Sequence, residues 1–355
     1  MSIDPVSVLE GLDDDALGNA RIRDLLDRLG LLAEPFQANR LSGGVSSDIW
    51  LIEGAEGPFV LKRPLEKLRV AADWTASLDR GDSEAAWLAF VSEALPGVCP
   101  RVLGFDADAH AIALEYVDPA AHANWKSELM AGRVDVDFAG EVGRDLGRIH
   151  AESARTPGLA EKFDHHELFE SLRVEPYLLR TATVVPGAAE PLLEIVESLR
   201  YTRRALVHGD VSPKNILTGQ RPIFLDAECA TWSDPAFDLA FCRTHLTLKE
   251  IHVPGRAAAL RSASHALEDA YLGQVDWEDP LAVQARTARL IPALMLARVA
   301  GASPVEYLTH ADRVRVGELA RTALRERAPI EHLLGEPPRA GGSSDTLDEE
   351  GVPHG

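Results

Sequence analysis

Between Ala205 and Glu228 the chain carries a pattern that few folds accommodate. An apolar run, Ala205-Leu206-Val207, leads into the polar stretch His208-Gly209-Asp210-Val211-Ser212-Pro213-Lys214-Asn215. A second apolar run, Ile223-Phe224-Leu225, then ends in Asp226-Ala227-Glu228. Short apolar runs bounded by Gly, Pro, Asp and Asn read as buried strands. The spacing predicts a hairpin with Asp210 and Asn215 on its loop and Asp226 at its far end.

The flanking sequence says where such a hairpin would sit. Ile22, Leu25, Leu26 and Leu29 recur at helical spacing before Gly30. Residues 36–62 read as β-structure, with a glycine turn after Leu41 and a hairpin closing on Phe59-Val60-Leu61-Lys62. A helix over 83–95 and strands near 101–105 and 111–117 follow. After Asp118-Pro119 the periodicity is almost wholly helical, with helices expected near 235–250, 257–272, 281–301 and 311–327. The expected organisation is a helical extension over 1–35, a β-rich lobe over 36–117, a helical lobe over 118–335 and a disordered, Gly-, Ser- and acid-rich tail over 336–355. The fold class is α+β.

Charge narrows the partners. The chain has 36 Lys plus Arg against 56 Asp plus Glu, a net charge of −20. Nucleic acid is therefore not an expected partner, because phosphate backbones are held by clustered cations. The most apolar helical stretch, 285–302, holds Arg286, Arg289 and Arg298 and is too charged to span a bilayer. No membrane partner is expected. Cys99, Cys229 and Cys242 have no metal-ligand spacing and read as reduced thiols. With no visible signal peptide, the expected location is cytoplasmic.

Asp210, Asn215 and Asp226 are the parts that phosphoryl transfer from ATP needs: a carboxylate to orient an acceptor hydroxyl, and two oxygen ligands for Mg²⁺. The remaining parts lie upstream in order. In Ser42-Gly43-Gly44-Val45-Ser46-Ser47, bare backbone N–H groups can approach phosphate oxygens. Lys62 ends the next strand, placed to pair with the α- and β-phosphates. Glu84 opens the following helix and can hold that lysine, with Glu93 the weaker competitor.

In these features the chain resembles the aminoglycoside phosphotransferase and choline kinase group, small-molecule kinases with a protein-kinase-like two-lobed fold. The resemblance covers about residues 36–330. Its most specific segment also includes Asp234-Pro235-Ala236-Phe237-Asp238-Leu239-Ala240, the group's Asp-Pro-x-x-Asp-Leu-Ala helix start. Gly209 stands where protein kinases usually carry Arg, which favours the small-molecule branch. Asp-x-Glu at 226–228 in place of Asp-x-Gly points towards the methylthioribose kinase-type branch.

The resemblance implies roles. Asp210 would be the catalytic base, and Asn215 and Asp226 would ligate Mg²⁺, with Glu228 a further metal or substrate ligand. Lys62 and Glu84 would form the phosphate-anchoring pair. Glu115, Tyr116 and Val117 would offer backbone groups to adenine, and Leu217 would lie against its ring. Lys214, four residues past Asp210, is the cation expected to offset charge on the transferring phosphoryl group. Asp238 is expected to tie the catalytic loop to its supporting helix. The implied cofactors are ATP, or another nucleoside triphosphate, and Mg²⁺. Sugar, aminoglycoside-like, amino-alcohol and methylthioribose-like acceptors all stay open, although the overall acidity could steer a cationic one. The alternatives are a regulatory pseudokinase and a protein kinase. Against the first, Asp210, Asn215 and Asp226 are all present; against the second, no Ala-Pro-Glu lies between Asp226 and Asp234.

Overall fold

A computed structural model of the chain describes residues 14–41, 46–67, 76–164 and 166–335. Ser42, Gly43 and Gly44, and the expected tail over 336–355, lie outside the described residues. The β-rich part is an antiparallel sheet of β1 (Gln37–Arg40), β2 (Ser47–Gly54), β3 (Gly57–Pro64), β4 (Val102–Asp106) and β5 (Ala111–Glu115). Their spatial order is β1-β2-β3-β5-β4. The β2–β3 turn closes on Gly57, whose φ of +102° lies in the region glycine enters without a steric penalty.

One face of this sheet is covered by the helix Asp14–Arg28. Its Ile22, Leu25 and Leu26 bury themselves with Ile52, Leu61 and Ala111. The helix Arg80–Ala94 lies on the other side of β3 and β5 and buries Ala85, Trp87, Leu88 and Val91 in the main core. Removing apolar area of this kind from water contributes about 25 cal/mol per Å², so the sheet is clamped from both sides. Lys62 and Glu84 face each other because β3 and this helix do.

The rest of the chain is a helical lobe built round the helix Ala236–His252, which is buried along nearly its whole length. Helices Val136–Arg155 and Ala257–Leu272 cross in direct backbone contact. A Cβ at Gly143 would sit 2.0 Å from the carbonyl oxygen of Leu267, so only glycine permits the crossing. Residues Glu170–Leu179 form a π-helical segment with Pro176 inside it. Proline brings no N–H to a helical ladder, and π-helical turns are concentrated at functional sites.

The architecture is the expected one, a β-sheet lobe followed by a helical lobe, but the hairpin predicted over 205–226 is not formed. β6 (Ala205–Val207) pairs with β9 (Thr231–Ser233), while β7 (Ile216–Leu217) pairs with β8 (Ile223–Phe224). Two nested pairs replace one. The reason is length: the outer pair encloses the whole polar loop, and the inner pair brings Asp226 back beside Asn215. The backbone closes that return, with the N–H of Leu225 donating to the carbonyl of Asn215 at 2.9 Å.

Candidate active site

The loop after β6 is fixed from beneath. Asp238, wholly buried in the first turn of its helix, accepts from the backbone N–H of His208 at 2.6 Å and of Gly209 at 2.8 Å. Gly209 has φ +79°, and a Cβ there would lie 2.7 Å from the Cβ and carbonyl of Cys229. The arginine of protein kinases cannot fit this position. His208 takes the N–H of Asp210 on Nδ1 at 3.2 Å and meets the carbonyl of Leu225 with Nε2 at 3.0 Å. The proton therefore sits on Nε2. Burial lowers the pKa of this imidazole against the pull of Asp238 and Asp210, which keeps it neutral. Trp87 stands edge-on to it, ring centres 4.9 Å apart, and so connects the helix carrying Glu84 to the loop.

Asp210 is buried, and its carboxylate lies 3.0 Å from Nζ of Lys214 and 3.1 Å from a guanidinium nitrogen of Arg173. Burial alone would raise its pKa; Lys214 and then Arg173 outweigh that and hold it below the ordinary value. Asp210 is therefore ionised at neutral pH. Arg173 also donates from Nε to the carbonyl of Gly209 and from Nη1 to that of Leu172, so its fork is fully held. Sequence reasoning missed Arg173. It comes from the π-helical segment, at no fixed spacing from the catalytic loop. Asn215 donates from Nδ2 to the carbonyl of Asp210 at 3.1 Å, which turns its Oδ1 away from that bond.

Lys62 is the second centre. Its Nζ lies 2.7 Å from Glu84, 2.6 Å from Asp226 and 3.0 Å from Glu228. Burial pulls the lysine's pKa down, but Asp226, Glu228 and Glu84 more than offset it and keep the ammonium charged. Crowding has the opposite effect on Glu84. Burial, with Asp226 and Glu228 nearby, raises its carboxyl to about 7 despite Lys62. Glu93 is exposed and takes no part. Asp226 itself has φ +68°, an uncommon backbone state for a residue with a side chain, and its carboxylate is held low because Lys62 and Lys214 outweigh its burial.

Glu228 is directed into the β-rich lobe. One oxygen accepts from the hydroxyls of Ser46 at 3.0 Å and Ser47 at 2.7 Å, and the other faces Nε of Arg80 at 3.3 Å. Arg80 is almost fully buried and donates to the carbonyls of Ser46, Leu65, Ala76 and Ser77. It too escaped sequence reasoning, since an arginine opening a helix gives no sign of being buried. At the cleft's other end β5 finishes at Glu115, whose carboxylate pairs with Arg101, and half-buried Tyr116 and Val117 continue towards the helical lobe. Leu217, also half-buried, forms a bridge with Asn124.

These parts, in this order on a sheet lobe and a helical lobe, agree with what a family comparison finds. A profile of the phosphotransferase enzyme family matches residues 37–273. The chain belongs to that family. The chain is also similar to a methylthioribose kinase from Yersinia enterocolitica, 24% identical over 269 residues that cover 67% of each chain. Among solved structures, a candidate aminoglycoside phosphotransferase from Ralstonia eutropha superposes with a TM-score of 0.51 at 15% identity, over 88% of this chain and 97% of its own. The aminoglycoside phosphotransferase APH(4)-Ia gives a TM-score of 0.50 at 12% identity, over 88% and 98%. These structural likenesses show the fold. The family and the kinase relative make the protein a small-molecule kinase.

In this phosphotransferase one cavity, of about 370 Å³, reaches from Ser46, Arg80 and Asp226 past Asp210 to Tyr177 and Arg298. No described helix is long and apolar enough to cross a membrane. Glu84, Asp226 and Glu228 are close enough together to hold a cation, but Lys62 already lies among them.

Proposed function

We propose that the protein transfers the γ-phosphoryl group of ATP to a hydroxyl of a small molecule, with Mg²⁺ as the accompanying ion. The observation that carries this is Asp210, an ionised, buried carboxylate facing a cavity that also holds Lys214 and Asp226. Asp210 accepts the hydrogen bond of the acceptor hydroxyl and so aims its oxygen at the γ-phosphorus. As the new O–P bond forms and the bond to the β-bridging oxygen breaks, ADP leaves and the hydroxyl proton passes to Asp210 and then to solvent. Lys62, anchored by Glu84, meets the α- and β-phosphates. Lys214 offsets charge on the transferring group.

Oxygen donors of the kind Mg²⁺ requires are at hand. Asn215 has Oδ1 free of its bond to the Asp210 carbonyl, and the Asp226 carboxylate is one-third exposed. They would hold the ion, which supplies compensating positive charge on the triphosphate. Glu228, with both oxygens engaged by Ser46, Ser47, Lys62 and Arg80, acts as a tie between the lobes and not as a metal ligand. The backbone of Glu115 to Val117 would take adenine, with Leu217 beneath it, and Ser46 and Ser47 would border the phosphates.

The test is an ATP-consumption screen against hydroxylated small molecules, with Asp210→Ala alongside. The expected result is turnover in the wild type, lost in the variant while nucleotide affinity is kept. Undiminished turnover in Asp210→Ala would remove this mechanism.

A further inference from the structure

Resting on that kinase reading, we infer that the acceptor is an anion, a hydroxylated small molecule bearing a carboxylate or phosphate that Arg298 and Lys126 receive in the helical-lobe part of the cavity. The argument starts from Arg298. Its Nη1 donates to the hydroxyls of Tyr177 and Ser303, both at 3.0 Å, and among the described residues no carboxylate pairs with it. Its Nε is buried without a hydrogen-bond partner. Thirty arginines and many more acids are available in this chain, yet no described carboxylate lies within ion-pair distance of this cavity-facing one, which Glu306 feels only through space.

Its neighbours repeat the sign. Lys126 lines the same cavity and has Glu306 as its partner. Among the described residues Lys249, almost fully buried, reaches the carbonyl of His245 at 3.4 Å and the ring of Tyr307 at 4.9 Å and no carboxylate. His245 lies among them, and its imidazole is pushed well below the ordinary value by burial and then by Arg298, Lys249, Lys214 and Lys126. So this wall sets Arg298 and Lys126 against one acid, Glu306, with Lys249 buried behind them, in a molecule of net charge −20. A partly buried surplus of one charge is costly unless an opposite charge completes it. An anion on the acceptor completes it. The cationic acceptor suggested by overall acidity would meet this wall with the wrong sign.

The reach fits a small molecule. Arg173, which touches Asp210, and Arg298 both lie against Tyr177, their guanidinium carbons 5.8 and 5.6 Å from the ring centre. Tyr177 and Phe241 give the cavity an apolar side on which a carbon skeleton can rest. A hydroxyl at Asp210 and an anion at Arg298 are thus ends of one short acceptor.

The experiment compares matched acceptors with Mg²⁺ and ATP: glycerate and gluconate, glycerol phosphate, their uncharged partners glycerol and glucose, and the cations ethanolamine and glucosamine. Each is also titrated calorimetrically into protein loaded with Mg²⁺ and ADP. The expected result is that the anionic members bind or react at least tenfold better than their uncharged partners. Arg298→Gln should raise their KM or Kd about tenfold with a smaller change in kcat, since a hydrogen bond to a charged group is worth that much. Arg298→Lys, which keeps the charge, should retain most of the preference. Glycerate against glycerol phosphate tells carboxylate from phosphate. Preference for neutral or cationic members, or no effect of Arg298→Gln on an anionic one, overturns the inference and leaves the kinase reading intact. Binding of ADP with no anionic member bound also overturns it. Failure to bind ADP at all overturns the kinase reading instead.

Discussion

Arg173 holds Asp210 directly and through the residue before it: one guanidinium nitrogen lies 3.1 Å from the carboxylate, and Nε donates to the carbonyl of Gly209. One side chain therefore sets both the charge state and the position of the group that meets the acceptor. Replacing it with Met removes a cation that favours the ionised carboxyl, so the pKa of Asp210 must rise. The acid limb of the kcat/KM–pH profile should move to higher pH by about a unit, a typical effect of a near charge. An unmoved limb with reduced kcat would make Arg173 a purely steric support.

Lys214 contacts the other side of the same carboxylate, at 3.0 Å, on a side chain about half exposed. Its loss should slow the chemical step by about tenfold or more in single-turnover experiments and leave nucleotide affinity nearly unchanged. An unaltered chemical step in a folded Lys214→Ala protein would rule out the proposed charge neutralisation.

Lys62 is the centre of a buried cluster in which Glu84, Asp226 and Glu228 share one ammonium. Lys62→Met leaves those carboxylates facing one another and should cost about 3–5 kcal/mol at pH 7, the usual penalty for removing one partner of a buried pair. The sign with pH is definite. Without the lysine their folded-state pKa values rise above the unfolded ones, the folded protein binds more protons, and stability falls as pH rises. Denaturant melts at pH 5 and pH 8 should therefore show the variant recovering part of its loss at the lower pH.

Lys249 makes the opposite case. Burial and then Lys126 push its pKa down to about 7, so between pH 7 and its ordinary value near 10.5 the unfolded chain binds the extra proton. Wild-type stability should rise with pH across that window on account of this group. Lys249→Met should flatten the rise and leave the protein at least as stable at pH 7, provided the thioether fills the same space. Equal pH slopes in the two proteins would mean that the lysine stays charged.

Gly143→Ala tests the helix crossing on which the helical lobe rests. With its Cβ 2.0 Å from a backbone oxygen, no rotamer relieves the clash and the helices must separate. The expected loss is about 3 kcal/mol, at the upper end for overpacking. Gly18→Ala, where a Cβ meets nothing within 4 Å, is the control and should be neutral or slightly stabilising.

Much of this molecule could be read before its structure. Helical periodicity fixes the faces of Val136–Arg155 and Ala257–Leu272, because burial on one side leaves a 3.6-residue trace, whereas Ala236–His252 is buried all round. The grouping of Asp210, Asn215 and Asp226 was legible because the three lie on one short polar loop and its strand return. The strand pairing was not. Short runs such as Ala205–Val207 and Ile223–Phe224 state that they are buried but not which partner they take. Arg173, Arg80 and Arg298 were equally silent, since each acts through long-range contacts with no spacing rule. In a chain with thirty arginines, nothing local marks the few that face inward.

Glu228 gives the two lobes a shared fastening. It stands two residues past Asp226 in the helical lobe, yet its oxygens are held by Ser46, Ser47, Lys62 and Arg80 of the sheet lobe. Any parting of the jaws must pull a carboxylate away from an almost fully buried guanidinium and a buried ammonium. Opening the cleft therefore carries an electrostatic cost that one glutamate sets.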